Sequence, residues 1–407
     1  LDILIDEMDG SLWVAAVDKN KIRGLEVDPV TEEVRWGSLY WAQVARIDAK
    51  LDAAFVSLDG DNQGILQSGD LRIKQDGEIY KGGDLPIGKL LSPGDFILVQ
   101  TKDGKLNHPA EDSAFDTKLP KVTMNIAIQG RYLIYTPFEE GNRISKRIRK
   151  AELRAQLQEM LEDLVGCDAC ILRAAAANTQ TDIIKREHKL LGSMWEQLEK
   201  HAEGSKPQLI MLGPDAVQRT LSDMSSHHVD TIEIVTMDVM QEVEEWCELF
   251  APEFVTKITP VELENPYDNL ALYDYRDILD QIDLLFQPYA ILEGGSNIVI
   301  QQTAALTAID VNRGADSDSI LNINRKAAEE AARQIRIRNL GGIIMVDFLK
   351  MKSDAERKQL FKHLSEMCDN DPCTVQLHGF TKLGLMEMTR HQRTPSLSER
   401  FESSQIS

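Results

Sequence analysis

The sequence predicts a multidomain α+β protein with a small β-barrel, an α/β remainder and a strand–helix–strand unit that carries two acids. Three observations support this. A chain of 407 residues exceeds one ordinary domain and suggests about two to four. Short strands punctuated by Gly and Asp crowd residues 37–121, as they do in small barrels. Two apolar runs, Thr307-Ala308-Ile309-Asp310 and Ile343-Ile344-Met345-Val346-Asp347, flank a basic helical stretch. That order is most simply a right-handed crossover between parallel strands.

Residues 1–36 alternate in the β manner, as in Leu1-Asp2-Ile3-Leu4-Ile5-Asp6, because side chains two apart on a strand share a face. Barrel strands are expected at 41–47, 53–58, 62–66 and 94–100, with a polar, turn-rich insert over 67–90. A strand near 131–135 precedes helical apolar spacing over 149–165 and 182–201. Strand-like pieces at 209–212 and 232–235 then alternate with a helix over 237–249. A long helix is expected over 269–286, and Gly294-Gly295-Ser296 leads into the strands that carry Asp310. The tail after Pro395 is polar and Ser-rich and is expected to be loose.

Composition narrows the class. Hydrophobic residues make up 43% and charged residues 27%, which suits a globular protein with a sizeable core. No apolar run reaches the roughly 18 residues that span a bilayer, and the chain reads as cytosolic. Five cysteines are too few for a disulfide framework at this length, and the lone Cys167-x-x-Cys170 lacks the second pair that zinc requires. A net charge of -21 argues against a protein that coats nucleic acid, whose affinity comes from many phosphate contacts. The charge is uneven, however. Arg143, Lys146, Arg147, Arg149, Lys150 and Arg154 cluster against one acid, Glu152, whereas residues 238–264 are rich in Glu. Such patches on an acidic body can confine a polyanion to one groove.

The two acids carry the chemistry. A crossover would bring the strand ends bearing Asp310 and Asp347 to one edge of a sheet, and paired carboxylates suit Mg²⁺, which prefers oxygen ligands and is often completed by substrate phosphate. An Asp at a strand end also serves as a cap or turn residue, so the pair says more than either member. Asn312 lies two residues beyond Asp310, on the same face, where an amide can orient a carboxylate or a ligand water. Metal-assisted attack on a phosphodiester follows as the first functional reading.

A long ordered run strengthens it. Gly294-Gly295-Ser296-Asn297-Ile298-Val299-Ile300, Ala305-Leu306-Thr307-Ala308-Ile309-Asp310-Val311-Asn312 and the stretch from Ala331 to Phe348, which includes Arg338-Asn339-Leu340-Gly341-Gly342, strongly resemble the catalytic core of the ribonuclease E/G family. Gly384-Leu385-Met386-Glu387-Met388-Thr389-Arg390 and Pro395-Ser396-Leu397 resemble its end. The resemblance implies a ribonuclease H-like domain (1–36 and 206–278) with an inserted S1, OB-type barrel (37–125) and a 5′ sensor (126–205). A DNase I-like α/β catalytic subdomain (279–400) and a disordered tail (401–407) would follow. It also implies cleavage of single-stranded, A/U-rich RNA to 5′-phosphate and 3′-hydroxyl products, in rRNA or mRNA processing or decay.

By position, the resemblance makes Asp310 and Asp347 the acids that bind Mg²⁺ or Mn²⁺, with Asn312 positioning the first. Phe55 matches an aromatic that stacks on RNA bases, and Lys118 a lysine near the substrate path. Gly130, Ile134 (a Val in the pattern) and Arg173 match residues around a terminal phosphate. Four departures stand out. Ala174 replaces a phosphate-binding Thr, Ile65 replaces a second stacking Phe, Lys350 replaces an acid, and the loop from Asn312 to Asn324 is shorter. The zinc-link cysteines expected after Leu397 are absent from the residues that follow it. Zinc is therefore not expected, a zinc-linked tetramer is not supported, and a homodimer stays open. The leading reading is a metal-dependent endoribonuclease. Its rivals are an RNA-binding relative that cleaves little or not at all, and a DNA-directed nuclease, which nothing resembling a duplex-reading helix supports.

Overall fold

The computed structural model describes residues 1–30, 32–75, 78–83, 85–106, 119–224, 228–369 and 371–404. They form two compact units: Leu1–Pro29, His228–Glu242 and the described part of Thr256–Ile406 in the first, and the described part of Val30–His227 with Val243–Val255 in the second. Among the described residues no helix is long and apolar enough to cross a membrane.

The first unit contains two sheets. A five-stranded sheet runs in the order Ile258–Pro260, Thr231–Ile234, Asp2–Met8, Ser11–Asp18, Lys21–Asp28. Its two hairpins turn through Asp9-Gly10 and Lys19-Asn20, all four at positive φ, the conformation that two-residue hairpin turns require. The second sheet has six strands in the order Tyr289–Ile291, Asn297–Gln302, Leu306–Asn312, Gly342–Asp347, Met386–Arg390, Val375–Phe380. Its buried face, with Ile298, Ile309, Val311, Ile344, Val346 and Met388, packs on the helices Ile320–Ile337 and Asp354–Cys368. The strand Leu306–Asn312 pairs in parallel with Gly342–Asp347, joined by the helix Ile320–Ile337 as the crossover reading expects.

The second unit contains a closed five-stranded barrel. Strands Leu39–Asp48, Ala53–Ser57, Gln63–Gln67, Lys121–Thr123 and Phe96–Thr101 pair in turn, and the last closes onto the first. Tyr40, Val44, Val56, Leu66, Val99 and Val122 fill it. The insert expected to be merely polar contributes the buried Leu71 and Ile87 to this core and forms the hairpin Arg72–Gln75 with Glu78–Lys81. A four-stranded sheet, Ile128–Gln129, Leu133–Tyr135, Cys170–Leu172 and Arg143–Ile144, packs with helices Ala151–Asp163 and Thr181–His201.

Two expectations are corrected. The single helix over 269–286 is two, Ala271–Tyr275 and Leu279–Leu285. Asp277 takes a left-handed φ of 53°, while the N–H groups of Asp277 and Ile278 donate to the carbonyls of Asp274 and Tyr273. This pattern ends a helix and lets the residues on either side reach one core, here Tyr273 and Ile278. Within the tail expected to be loose, the helix Leu397–Ser404 forms instead, and residues 405–407 lie outside the described residues. Arg400 is 1% exposed, donates to the Val27 carbonyl and pairs with Glu26. Phe401 packs edge-on against Trp13, with ring centroids 6.1 Å apart.

Candidate active site

Strand alternation divides the six-stranded sheet into a buried face and an open one. On the central strands Ile309 and Val311 point into the core, as do Ile344 and Val346, so Asp310, Asn312 and Asp347 stand on the open face. Asp310 and Asp347 are directly opposed in the parallel register, which puts their backbones about 5 Å apart. Both are exposed. The Asn312 side-chain amide donates to one Asp310 carboxylate oxygen at 3.0 Å and so orients the other.

The surroundings hold this pair in place. Asn324, fully buried on the crossover helix, donates to the Leu349 carbonyl at 2.8 Å and accepts from its N–H at 3.0 Å. That fixes the chain two residues beyond Asp347. On the other side, the short loop after Asn312 is tied down by Asp316. Its carboxylate accepts from Ser296 Oγ at 3.0 Å, from the Asp318 N–H at 2.9 Å and from Lys326 Nζ at 3.1 Å. Gly294 lies against this carboxylate, and a Cβ there would sit 2.6 Å from an Asp316 oxygen. Sequence reasoning missed both Asn324 and Asp316. An amide on the apolar face of an otherwise Ala-rich helix was the available signal for Asn324.

Among the described residues no group of three or more His, Cys, Asp or Glu side chains could hold a metal ion. The two opposed carboxylates fit Mg²⁺, which takes one or two protein carboxylates and completes its shell with water and phosphate oxygens. Cys170, Cys247, Cys368 and Cys373 are buried. Burial pushes Cys170 and Cys247 up to about 12, which keeps both thiols neutral.

The remaining predicted residues lie in the second unit. Phe55 is half-buried on the outside of the barrel, since its neighbours Ala54 and Val56 point inward. The Arg46 guanidinium lies 3.5 Å above its ring. Register aligns Arg46, Phe55, Ile65 and Lys121 across four adjacent strands. Lys118 lies outside the described residues.

Gly130 and Arg173 do come together. Arg173 is 4% exposed, and its guanidinium donates to the Gly130 carbonyl at 2.9 Å, the Ser222 carbonyl at 3.1 Å and the Asp223 carboxylate at 2.8 Å. Glu187, unmarked by sequence reasoning, accepts from the N–H groups of Arg131, Tyr132 and Leu133 at 2.7, 3.0 and 2.9 Å. The protein's own carboxylate therefore fills the backbone nest that begins at Gly130, where a Cβ would meet it at 2.5 Å. Burial pushes the Glu187 carboxyl up to about 7, against the pull of the three N–H groups and of Arg173. Ile134, half-buried, pairs with Gln129 and Ile171.

The sequence is similar to proteins of known name. A model of the Ribonuclease E/G family matches residues 127–393. The sequence is 30% identical over 405 residues to Ribonuclease E of Synechocystis sp., covering 95% of this chain and 56% of that protein. It is 29% identical over 401 residues to Ribonuclease E of Haemophilus influenzae, covering 95% of this chain and 41% of that protein. It is 26% identical over 410 residues to Ribonuclease G of Escherichia coli (strain K12), covering 97% of this chain and 81% of that protein. The chain thus spans about half the length of the two ribonuclease E relatives.

Proposed function

The chain belongs to the ribonuclease E/G family, and on that premise we propose that it is a metal-dependent endoribonuclease acting on single-stranded, A/U-rich RNA. The opposed pair of Asp310 and Asp347, with Asn312 bonded to the first, is the observation that carries this reading. In it, Asp310 and Asp347 offer carboxylate oxygens to a divalent ion, and Asn312 fixes the angle at which Asp310 does so. A bound Mg²⁺ or Mn²⁺ would supply a water acidified for attack and Lewis-acid stabilisation of charge on the phosphate oxygens. Hydrolysis of the phosphodiester there would leave a 5′ phosphate and a 3′ hydroxyl, and the work would belong to RNA processing or decay.

We also read the barrel as an S1-type RNA-binding module. The Phe55 ring, braced by Arg46, would be its stacking surface, since base stacking needs only a π face. The five-stranded sheet is read as ribonuclease H-like and the six-stranded one as DNase I-like. Gly130, Ile134 and Arg173 form the candidate 5′ sensor, but Arg173 already holds Asp223 and Ala174 brings no hydroxyl. A terminal phosphate would have to displace a carboxylate there, so discrimination between 5′-monophosphate and 5′-hydroxyl RNA is expected to be weak.

The test is cleavage of a fluorescent single-stranded A/U-rich RNA with a 5′ monophosphate, in Mg²⁺ and in chelator, beside Asp310→Asn. Internal cutting that needs the metal and is lost in the variant is the expected result. Binding without cutting in either Mg²⁺ or Mn²⁺ would replace it with the RNA-binding, non-cleaving reading.

A further inference from the structure

The open face of the six-stranded sheet carries more than the acid pair. Register places Tyr289 opposite Val299, Val299 opposite Asp310, and Asp310 opposite Asp347. Directly opposed residues in a sheet share a face, so these four side chains form one row, with an aromatic at one end and two acids at the other. Alternation supports the assignment. Ala290 packs against the core, while Tyr289 and Ile291 on either side of it are 39% and 73% exposed. Tyr289 stands two strands from Asp310, about 10 Å at normal strand spacing, a distance that one flanking nucleotide can bridge.

Two hydrogen bonds anchor the start of the edge strand. The Ile300 N–H donates to the Pro288 carbonyl at 2.7 Å, and Arg338 Nη1 donates to the Gln287 carbonyl at 2.7 Å. An exposed apolar edge strand invites unwanted pairing, so a Tyr and an Ile presented there call for an occupant. Because the row is continuous with the acid pair, that occupant is the chain whose phosphate the acids engage.

We propose that Tyr289 is a stacking position for a base flanking the phosphate seated at Asp310 and Asp347, so that the row sets the register of single-stranded RNA for cutting. The inference rests on the RNA-cleaving reading above. No cation stands in the row, so the contribution of Tyr289 is stacking rather than charge, and it should be insensitive to salt and to the identity of the base.

The experiment uses the full chain and its Tyr289→Ala and Tyr289→Phe variants, with single-stranded RNA carrying 2-aminopurine at successive positions around one cleavage site. Quenching confined to a position next to the cut, lost in Tyr289→Ala and kept in Tyr289→Phe, supports the proposal. A rise in KM of roughly 5- to 150-fold for Tyr289→Ala, from the range measured for base–aromatic stacking, should accompany it. That penalty should vanish on RNA made abasic at the same position. Unchanged quenching and KM in Tyr289→Ala, with Asp310-dependent cutting intact, would overturn this inference alone. Absence of Asp310-dependent cutting in the parent would overturn the reading it rests on, and this inference with it. Self-association lost in Tyr289→Ala, with RNA affinity unchanged, would assign the row to a second copy of the chain and also overturn it.

Discussion

At the residue scale, the acids were legible because their neighbours are. Alternating apolar residues fix which way Asp310 and Asp347 face, and the strand–helix–strand order fixes that they meet. Asn312 follows from the same period of two. Its proposed role predicts that Asn312→Ala lowers activity by about 10- to 100-fold, the usual effect of losing a partner that orients a metal ligand. Raising the Mg²⁺ concentration should recover part of the loss, and kcat/KM titrated against Mg²⁺ measures it; identical titrations for parent and variant would remove Asn312 from the site. Glu187 was not legible as a nest-filling carboxylate, because its partners are backbone N–H groups that have no sequence signature. The one hint was an acid on the stripe of Ile184, Leu191 and Trp195. Its carboxyl is pushed up to about 7 from an ordinary 4.5, so the folded state binds its proton more tightly than the unfolded one. The stability this contributes is complete below about pH 4.5 and is lost as pH rises through 7. Urea unfolding of the parent should therefore weaken by on the order of 3 kcal/mol relative to Glu187→Gln between pH 4 and 8. Parallel curves would show that the group does not titrate in that window.

At the scale of elements, the misread segments share a cause: the deciding contacts lie far away in the chain. Nothing local in the 269–286 window says that Tyr273 and Ile278 must enter one core, and nothing in a Ser-rich tail says that Arg400 is to be received by Val27 and Glu26. Strands and long helices, whose pattern is local, were legible. The same logic marks Asn339 as the residue that ends the crossover helix. It sits at a φ of 51°, and the Leu340 N–H donates to the Ile335 carbonyl beyond it, which turns the chain into the strand that carries Asp347. Its side-chain amide donates to the Thr394 and Pro395 carbonyls at 2.6 and 3.1 Å, and its oxygen accepts from Arg390 at 2.8 Å. Asn339→Ala should cost about 2–4 kcal/mol, combining a left-handed backbone with buried groups left unpaired. Asn339→Gly should recover only the backbone share, about 1 kcal/mol. Equal unfolding midpoints for the two variants would show that the conformation contributes nothing.

For the molecule as a whole, the net charge of -21 and the proposed RNA substrate oppose each other, and the range of the interaction decides which prevails. At about 0.15 M salt the screening length is near 8 Å, so RNA at a basic cluster such as Arg143 to Arg154 feels that cluster and little of the acidic body. At about 0.01 M the length grows to roughly 30 Å, comparable to a domain, and the full negative charge acts on the polyanion. For a basic protein, affinity for single strands climbs steadily as salt falls, with a log–log slope of about -0.7 per neutralised phosphate. Here the climb should hold from about 0.5 to 0.1 M and then flatten or reverse below roughly 0.05 M as repulsion by the whole chain sets in. Anisotropy titrations of a labelled single-stranded RNA, with chelator present to prevent cutting, would follow the curve across that range. A straight line down to the lowest salt would mean that the acidic surface lies too far from the path of the RNA to oppose it. Curvature that disappears when several Glu residues of 242–248 are changed to Gln would locate the repulsion in the acidic helix Met237–Phe250.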